Sequence, residues 1–259
     1  MSMHIKIFVL SVLPAIISTT VTAAPIKTPI EATIKQIGLS VPGVLGVATL
    51  HLENGNRIEI NANQPFPMAS TYKLPIALYA LSLVDSKKLD LNTQKKITAH
   101  DIRSFCFVRP NQKLSIKELV RLSIEKSDNA TPDILLKMVG GGSAVTAWLV
   151  QHGIISMRVD RSCLKMVADY CGISNLGDEF RCTLPRYRQL LKQIGPKKAR
   201  AAAQKFYDDT RDTATPRAMV DLLERLHAGK LASPTSTKFV LDCMAKCCIW
   251  RKTHSRITP

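Results

Sequence analysis

The chain has 259 residues and a mass of 28.6 kDa, and 46% of its residues are hydrophobic while 22% are charged. This composition excludes a disordered or fibrous protein and suits one large or two small globular domains. The formal net charge is +16, a balance that can favour nucleic acid, anionic lipid or cell-wall polymer as a partner. The basic residues are spread through helical segments without an arginine-rich tract, so we predict no nucleic-acid partner and a basic, solvated surface.

The first residues have the pattern of a secretory signal. Lys6 makes the leading segment basic, residues 7–21 are mostly apolar, and Ala23 and Ala24 supply the small residues of a cleavage site. The alternative is a membrane anchor, which needs ~20 apolar residues and is disfavoured here by Pro14. We therefore predict a signal peptide over residues 1–23, a periplasmic or secreted mature protein, and no membrane partner after cleavage.

A short helix and a β-hairpin open the predicted mature chain. The helix is predicted from residue 29 to about residue 36. Residues 44–51 are β-branched and apolar, Asn54-Gly55 is a turn signal, and residues 57–61 resume the strand pattern. The pattern then becomes helical over residues 70–85.

Helices dominate the rest of the chain. Ser115 and Glu118 form a capping-box pattern that opens a helix running to Lys126. Further helices are predicted at residues 132–139, 144–152, 186–206, 216–228 and 236–248, whereas residues 160–185 have an irregular pattern. One hairpin followed by many helices indicates an α+β fold.

The chain contains an odd number of cysteines. There are seven, at positions 106, 163, 171, 182, 243, 247 and 248. In an exported protein at least one thiol would then be free or paired outside the chain. Cys243, Cys247 and Cys248, with His254 beyond them, are a candidate zinc site, but the spacing lacks a Cys-x2-Cys pair and a second ligand pair. We predict no metal.

The first candidate for chemistry is a serine and a lysine at the start of a helix. Residues 66–81 read FPMASTYKLPIALYAL, with Ser70 and Lys73 three positions apart and therefore on one helical face. A serine hydroxyl is a weak nucleophile until a neighbouring base takes its proton. Lysine serves as that base only when its pKa falls, which burial and the positive potential of a helix N-terminus both promote.

The second candidate is the break between two predicted helices. Residues 125–141 read EKSDNATPDILLKMVGG and present Ser127, Asp128 and Asn129 outside regular structure. A serine there can relay a proton to a leaving nitrogen, and an asparagine amide can hydrogen-bond a substrate amide.

These motifs, with VDR at 159–161 and RDTATPRAM at 211–219, resemble those of the class A β-lactamases and their penicillin-binding relatives, in the same order over residues 30–248. The resemblance implies that Ser70 is the acylated nucleophile, Lys73 its base, Ser127 a proton shuttle and Asn129 a substrate contact. It also implies a monomer that acts on a β-lactam or a peptidoglycan peptide, with no metal or organic cofactor.

The resemblance also implies the domain organisation. An α/β sandwich domain would be built from residues 24–69 and 216–259, and an all-helical domain from residues 70–215. An enlarged Ω loop over residues 161–212 would belong to the helical domain, closed by an ion pair between Arg161 and Asp212.

The chain departs from the family pattern in the hydrolytic step. Family members place a water-activating glutamate two residues after the arginine of the VDR-type motif, where this chain has Cys163, and a water-holding asparagine four residues later, where it has Val167. Neither residue is a carboxylate base. A substitute from the insertion is an open alternative, and the candidate residues are Asp169, Asp178 and Glu179.

The other departure is at the end of the chain, IWRKTHSRITP. Relatives continue into a Lys-Thr/Ser-Gly strand that lines the site and gives one oxyanion donor, whose loss costs ~10² to 10³ in rate. Lys252-Thr253-His254 lacks the glycine and comes too early, so we expect the closing strands to be absent and the chain to be unstable. The leading prediction is a class A β-lactamase-like serine hydrolase. The rivals are a penicillin-binding protein that stays acylated and a non-catalytic module that holds a partner with its basic insertion.

Overall fold

A computed structural model describes residues 8–10, 29–40 and 42–247 of the chain. The predicted signal peptide therefore lies outside the described residues except for residues 8–10. Cys248 and the segment Lys252-Thr253-His254 also lie outside them.

One sheet of three short strands forms the first layer. Strands β1 (Phe8–Leu10), β2 (Gly46–Leu50) and β3 (Arg57–Ile60) are antiparallel and lie in that order. The predicted hairpin is confirmed, with Val47 opposite Ile60 in its register. Gly55, at φ 72°, lies in the turn, where a positive φ favours glycine. Helix α1 (Pro29–Leu39) packs against β3.

Two further pairs of very short strands connect distant parts of the chain. Strand β4 (Phe66–Pro67) pairs with β7 (Thr213–Ala214), and β5 (Gln94–Lys96) pairs with β6 (Lys113–Ser115). The backbone N–H of Met68 also donates to the carbonyl of Asp212 at 3.0 Å. The segment before Ser70 is thereby fixed to the segment that ends the insertion.

Most predicted helices are present, with boundaries shifted by a few residues. They are α2 (Lys73–Asp85), α3 (Ile116–Glu125), α4 (Thr131–Met138), α5 (Gly142–Gln151), α9 (Pro216–His227) and α10 (Pro234–Ala245). The capping box at Ser115 is confirmed, because Ser115 Oγ accepts from the N–H of Glu118 at 3.2 Å and the Glu118 carboxylate accepts from the N–H of Ser115 at 2.8 Å.

The insertion is more helical than its sequence pattern predicts. Helix α6 (Cys163–Cys171) occupies a stretch predicted to be irregular, and the single helix predicted over residues 186–206 is two helices, α7 (Leu184–Lys192) and α8 (Pro196–Tyr207). Gly195 precedes α8, and Pro196 is in its first turn. Proline at that position lacks the N–H that continuation of α7 would need, so the helix ends and a new one begins.

The main hydrophobic core surrounds α2. Ile76, Ala77, Leu78 and Leu81 have no exposed surface, and α3, α4, α5 and α10 pack against this helix. A second, separate core lies inside the insertion and is formed by Leu164, Ala168, Ile173, Leu176, Cys182, Tyr187 and Leu190. The insertion is thus a folded unit rather than an extended loop.

Within the described ranges, no single helix is long and apolar enough to cross a membrane; α4 and α5 pass that test only together, as a pair bent by 74°.

Candidate active site

Ser70 lies in a 3-10 turn that connects β4 to α2. The turn spans Ala69–Tyr72, and Ser70 is exposed within it. Ala69 has φ 46°, a left-handed conformation that costs a non-glycine residue about 1 kcal/mol or more. The backbone N–H of Lys73 donates to the carbonyl of Ser70. This turn therefore presents the serine one residue after a strained position.

Lys73 brings three of the four predicted site residues together. Its side chain is buried, with 2% exposure. The Nζ atom donates to the carbonyl oxygen of Ser127 at 2.7 Å, to Ser127 Oγ at 3.1 Å and to Asn129 Oδ1 at 2.8 Å. Ser70, the fourth residue, is one turn earlier on the chain. The grouping of Lys73, Ser127 and Asn129 that the resemblance implies is therefore present, whereas the contact of the Lys73 amine with the Ser70 hydroxyl, expected from their spacing, is not among the hydrogen bonds of the described residues.

The environment of Lys73 changes its acidity. Burial lowers the pKa of Lys73 from its ordinary value, while the carboxylates of Asp128 and Asp133 act in the opposite direction by stabilising the ammonium. Burial is the larger effect because a charge leaves high-dielectric water for a site with few compensating charges. The structure supports the direction of shift that a base at this position needs.

The turn that carries Ser127 is held by the buried carboxylate of Asp128. One Asp128 oxygen accepts from the N–H groups of Ala130 and Thr131, both at 2.8 Å, and the other accepts from the N–H of Phe107. Ser127 has φ 52°. Asp128 thus fixes a strained turn against a neighbouring loop, a positioning role that the sequence motif alone does not reveal.

Asn129 is oriented from both ends of its amide. Its Oδ1 accepts from Lys73, and its Nδ2 donates to the carbonyl of Ser104 at 3.0 Å. The amide orientation is therefore determined by one donor and one acceptor on opposite sides.

Cys163 begins α6 and is buried near Lys73. Its backbone N–H donates to Asp133 Oδ1 at 2.6 Å. Burial and the nearby Asp133 carboxylate raise the pKa of the Cys163 thiol to about 12, although Lys73 and Tyr72 act in the other direction. The thiol is therefore uncharged at neutral pH. Val167, in the same helix, is 38% exposed.

Asp133 is a structural residue of this site that the sequence reasoning missed. Its carboxylate also binds Arg103 Nε at 2.8 Å, and both side chains are almost fully buried. Arg103 is 30 residues away in sequence, so no local pattern predicts the pair. The two residues fix the N-terminus of α6, and with it Cys163, against α4.

The three acids considered as substitute bases differ in their surroundings. Asp169 forms ion pairs with Arg161 at 2.9 Å and with Lys165. Asp178 is exposed and accepts from the N–H of Phe180 at 2.9 Å.

Glu179 differs from the other two acids because it contacts the N-terminus of α6. Its Oε1 accepts from the N–H of Ser162 at 3.2 Å, and burial, with a contribution from Asp133, raises the pKa of its carboxyl group. Of the three acids, Glu179 is therefore the one that hydrogen-bonds the backbone next to Cys163.

The predicted ion pair that closes the insertion is confirmed. Arg161 Nε lies 2.5 Å from Asp212 Oδ2, and both side chains are at most 5% exposed. Asp212 Oδ1 also accepts from the N–H groups of Asp160 at 2.7 Å and Arg161 at 3.0 Å. The two ends of the insertion are therefore joined by a buried charge pair and by two hydrogen bonds from backbone N–H groups to the Asp212 carboxylate.

A metal site is not evident in residues 29–40 and 42–247. No group of three or more histidine, cysteine, aspartate or glutamate side chains is placed there to hold an ion. The candidate cluster at Cys243 and Cys247 needs Cys248 and His254, which lie outside the described residues.

Comparison with known proteins identifies the family. Residues 29–249 match the profile described as "Beta-lactamase enzyme family". Beta-lactamase L2 of Stenotrophomonas maltophilia is 27% identical over 206 residues, covering 78% of this chain and 56% of that protein. Beta-lactamase PSE-4 of Pseudomonas aeruginosa is 30% identical over 135 residues, covering 51% of this chain and 47% of that protein. The chain spans about half the length of the curated relatives it matches.

Solved structures agree with this result. A β-lactamase from Chitinophaga pinensis DSM 2588 has a TM-score of 0.66 at 24% identity, covering 85% of this chain and 70% of that one. An ancestral class A β-lactamase, of the last common ancestor of Gram-negative bacteria, has a TM-score of 0.64 at 27% identity, covering 84% and 71%. The predicted α+β fold is confirmed, and the chain belongs to the β-lactamase enzyme family.

Proposed function

We propose that this chain is a class A β-lactamase-like serine hydrolase in which Ser70 attacks the amide carbonyl of a β-lactam. The observation that carries the proposal is the buried Lys73 amine, hydrogen-bonded to Ser127 and Asn129 one turn after an exposed serine. Lys73 accepts the proton of Ser70 as the Oγ–C bond forms. The ring C–N bond then breaks, and Ser127 gives its proton to the leaving nitrogen and takes one from the Lys73 ammonium, with which it is hydrogen-bonded.

The hydrogen bonds of Lys73 determine which protonation state reacts. Nζ has three acceptors, the Ser127 carbonyl oxygen, Ser127 Oγ and Asn129 Oδ1, which match the three donors of an ammonium group. The resting ammonium has no lone pair, so it must lose a proton before it acts as a base. The lowered pKa of Lys73 makes that loss easier and is the physical support for its role.

A second candidate function is a penicillin-binding protein that stays acylated. Cys163 stands where the resemblance places the water-activating glutamate, and its thiol has a pKa of about 12. A neutral, buried thiol is not a general base at neutral pH. This favours fast acylation followed by slow release, on either a β-lactam or a peptidoglycan peptide.

The localisation, oligomeric state and domain organisation of the chain are also proposals. They are an exported, periplasmic or secreted, monomeric protein, an α/β domain from residues 24–69 and 216–259, and a helical domain over residues 70–215. The separate hydrophobic core inside the insertion supports treating residues 161–212 as a folded part of the helical domain.

Mass spectrometry after incubation with a penicillin tests the proposal. We expect one adduct, on the peptide that contains Ser70. Ser70→Ala should abolish it, while Ser143→Ala, which changes an exposed serine in α5, should leave it unchanged. An adduct that persists in Ser70→Ala contradicts the assignment. Turnover of a chromogenic β-lactam distinguishes the hydrolase from the stably acylated protein, and absence of both adduct and turnover would leave only a non-catalytic module.

A further inference from the structure

Helices α7 and α8, here called the basic helical pair, concentrate positive charge on the insertion. Residues 180–207 contain no aspartate or glutamate. Within the two helices all seven lysine and arginine side chains are exposed: Arg186, Arg188, Lys192, Lys197, Lys198, Arg200 and Lys205. The insertion was expected to be basic, and the structure places these cations on one folded unit.

The charge of the basic helical pair is not neutralised within the described part of the chain. None of its seven cations forms an ion pair there, and Arg186 donates to the uncharged side chain of Gln189 at 3.0 Å. By contrast, the buried Arg103 and Arg161 each bind aspartate carboxylates. The buried arginines therefore stabilise the fold through ion pairs, whereas the cations of the basic helical pair are exposed to solvent.

Packing on α6 turns the apolar sides of both helices inward. Tyr187 and Leu190 of α7 are buried in the core of the insertion, and Ala202 of α8 approaches Gly172 so closely that an added Cβ would lie 3.1 Å away. Lys197 and Arg200, three positions apart, share one face of α8, and that face points to solvent. The cations are thus held on a stable surface rather than on a flexible tail.

We propose that the basic helical pair docks on the surface of an anionic phospholipid bilayer. Attraction to a bilayer sums over exposed cations and needs no pocket, and each lysine or arginine near the surface strengthens binding about fivefold. The surface does not suit single-stranded nucleic acid, because the aromatic side chains of this region are engaged with one another. Phe206 and Tyr207 stack edge-on against Tyr170 at 5.6 and 6.2 Å, so they are not free to stack on bases.

This proposal departs from the expectation that no membrane partner remains after signal cleavage. The chain would associate peripherally, through charge alone, because the apolar side of α7 is buried in the insertion core and α8 packs on α6. Peripheral docking is independent of acyl transfer, so penicillin labelling of Ser70 serves as a readout of folding in the same preparation.

Vesicle co-sedimentation of the full chain tests the proposal. We expect binding to vesicles of equal parts phosphatidylglycerol and phosphatidylcholine, no binding to phosphatidylcholine alone, and loss of binding in molar salt. Lys197→Gln, Arg200→Gln and Lys205→Gln combined should weaken binding about 100-fold. The matched control combines Lys96→Gln, Lys113→Gln and Lys230→Gln, which removes the same charge from exposed positions elsewhere and should weaken binding far less.

Three outcomes would overturn the proposal. They are equal loss of binding in the two triple variants, undiminished binding in molar salt, and binding to a single-stranded oligonucleotide but not to the anionic vesicles. If the α8 variant also loses its helical circular-dichroism signal, single neutralisations at Lys197 and Arg200 replace it, each with an expected loss of about fivefold.

Discussion

Lys73 is the residue whose physical state controls the proposed chemistry. Burial places its amine among oxygen acceptors and lowers its pKa, so the neutral base is available at a lower pH than for an exposed lysine. A lysine three residues from a serine is common in proteins. The buried amine and its contacts with a second serine and an asparagine are what separate this site from a chance pattern.

The pH dependence of acylation should report that lowered pKa. We expect the rate of penicillin labelling to rise with pH as Lys73 loses its proton, with a midpoint below the ordinary lysine value of 10.5. Lys73→Arg keeps a positive charge that does not titrate in this range, so it should label ~10² to 10⁴ times more slowly, with no such rise. A midpoint at or above the ordinary value would contradict the role of burial.

Cys163 sets the expected rate of release. Cys163→Glu should shorten the lifetime of the acyl-enzyme by up to ~10² to 10⁴, the usual contribution of a positioned general base. Cys163→Gln is the matched control, because it has the same shape without a base. The lifetime is measured by mass spectrometry after removal of free penicillin. Equal lifetimes in the two variants would show that this position does not contact the hydrolytic water.

Fast turnover by the unsubstituted chain would mean that another residue acts as the base that activates the hydrolytic water. Glu179 is then the acid to test, because its carboxylate binds the N–H of Ser162 beside Cys163 and burial raises its pKa. Glu179→Gln would stop that turnover if Glu179 is the base, whereas Asp178→Asn, at an exposed neighbour, would leave it unchanged.

Among the elements, the sequence predicts most clearly those that combine a regular hydrophobic pattern with a turn or capping signal. The hairpin follows from strand alternation and Asn54-Gly55, and α3 follows from the capping box at Ser115. Helix α6 was missed although it has local signals, an N-cap in Ser162 and a left-handed Gly172 after its end. Gly195-Pro196, likewise, signals the break between α7 and α8.

The residues of the candidate site also fall into two groups, those that a short sequence motif reveals and those that only tertiary packing brings together. Helix spacing predicts that Ser70 and Lys73 share a face, and the family resemblance adds Ser127 and Asn129, because each motif is short and lies at a helix end. Asp133 and Arg103 are different, since only the packing of α4 against a distant loop makes them a buried pair. Tertiary neighbours of this kind carry no periodic or capping signature in a single sequence.

The contribution of the ion pairs that close the insertion to the free energy of unfolding can be measured directly. Arg161 forms ion pairs with Asp212, Asp169 and Asp209. Arg161→Met should leave these carboxylates without their shared cation and lower the free energy of unfolding by about 3–5 kcal/mol. The measurement is urea denaturation.

Lys238→Ala is the control for this experiment. Lys238 pairs with Asp242 at 2.7 Å, but the two side chains are 77% and 51% exposed, so its loss should cost at most about 1 kcal/mol. A similar cost for the two variants would mean that the buried pair does not hold the insertion closed.

At the scale of the whole molecule, stability is unevenly distributed between the helical core and the sheet. The main core joins α2 to α3, α4, α5 and α10. The sheet packs against α9 through a small cluster of Ala48, Ala62 and Val220, with Leu50 against it. On α1, Ile30, Ile37 and Leu39 are 58%, 58% and 80% exposed. Less apolar burial gives a smaller free energy of local opening.

We therefore predict that the chain opens in two stages, the sheet before the helical core. In hydrogen exchange followed by mass spectrometry, peptides of α2 should exchange only with global unfolding, while peptides of β2, β3 and α1 should exchange faster through local opening. Val220→Ala removes two methyl groups from the small cluster, so it should speed exchange in β2 and β3 and leave α2 unchanged. Leu78→Ala, in the fully buried face of α2, should destabilise both regions by about 2–5 kcal/mol. Identical opening free energies for β2 and α2, unchanged in ratio by Val220→Ala, would show instead that sheet and helices unfold as one cooperative unit.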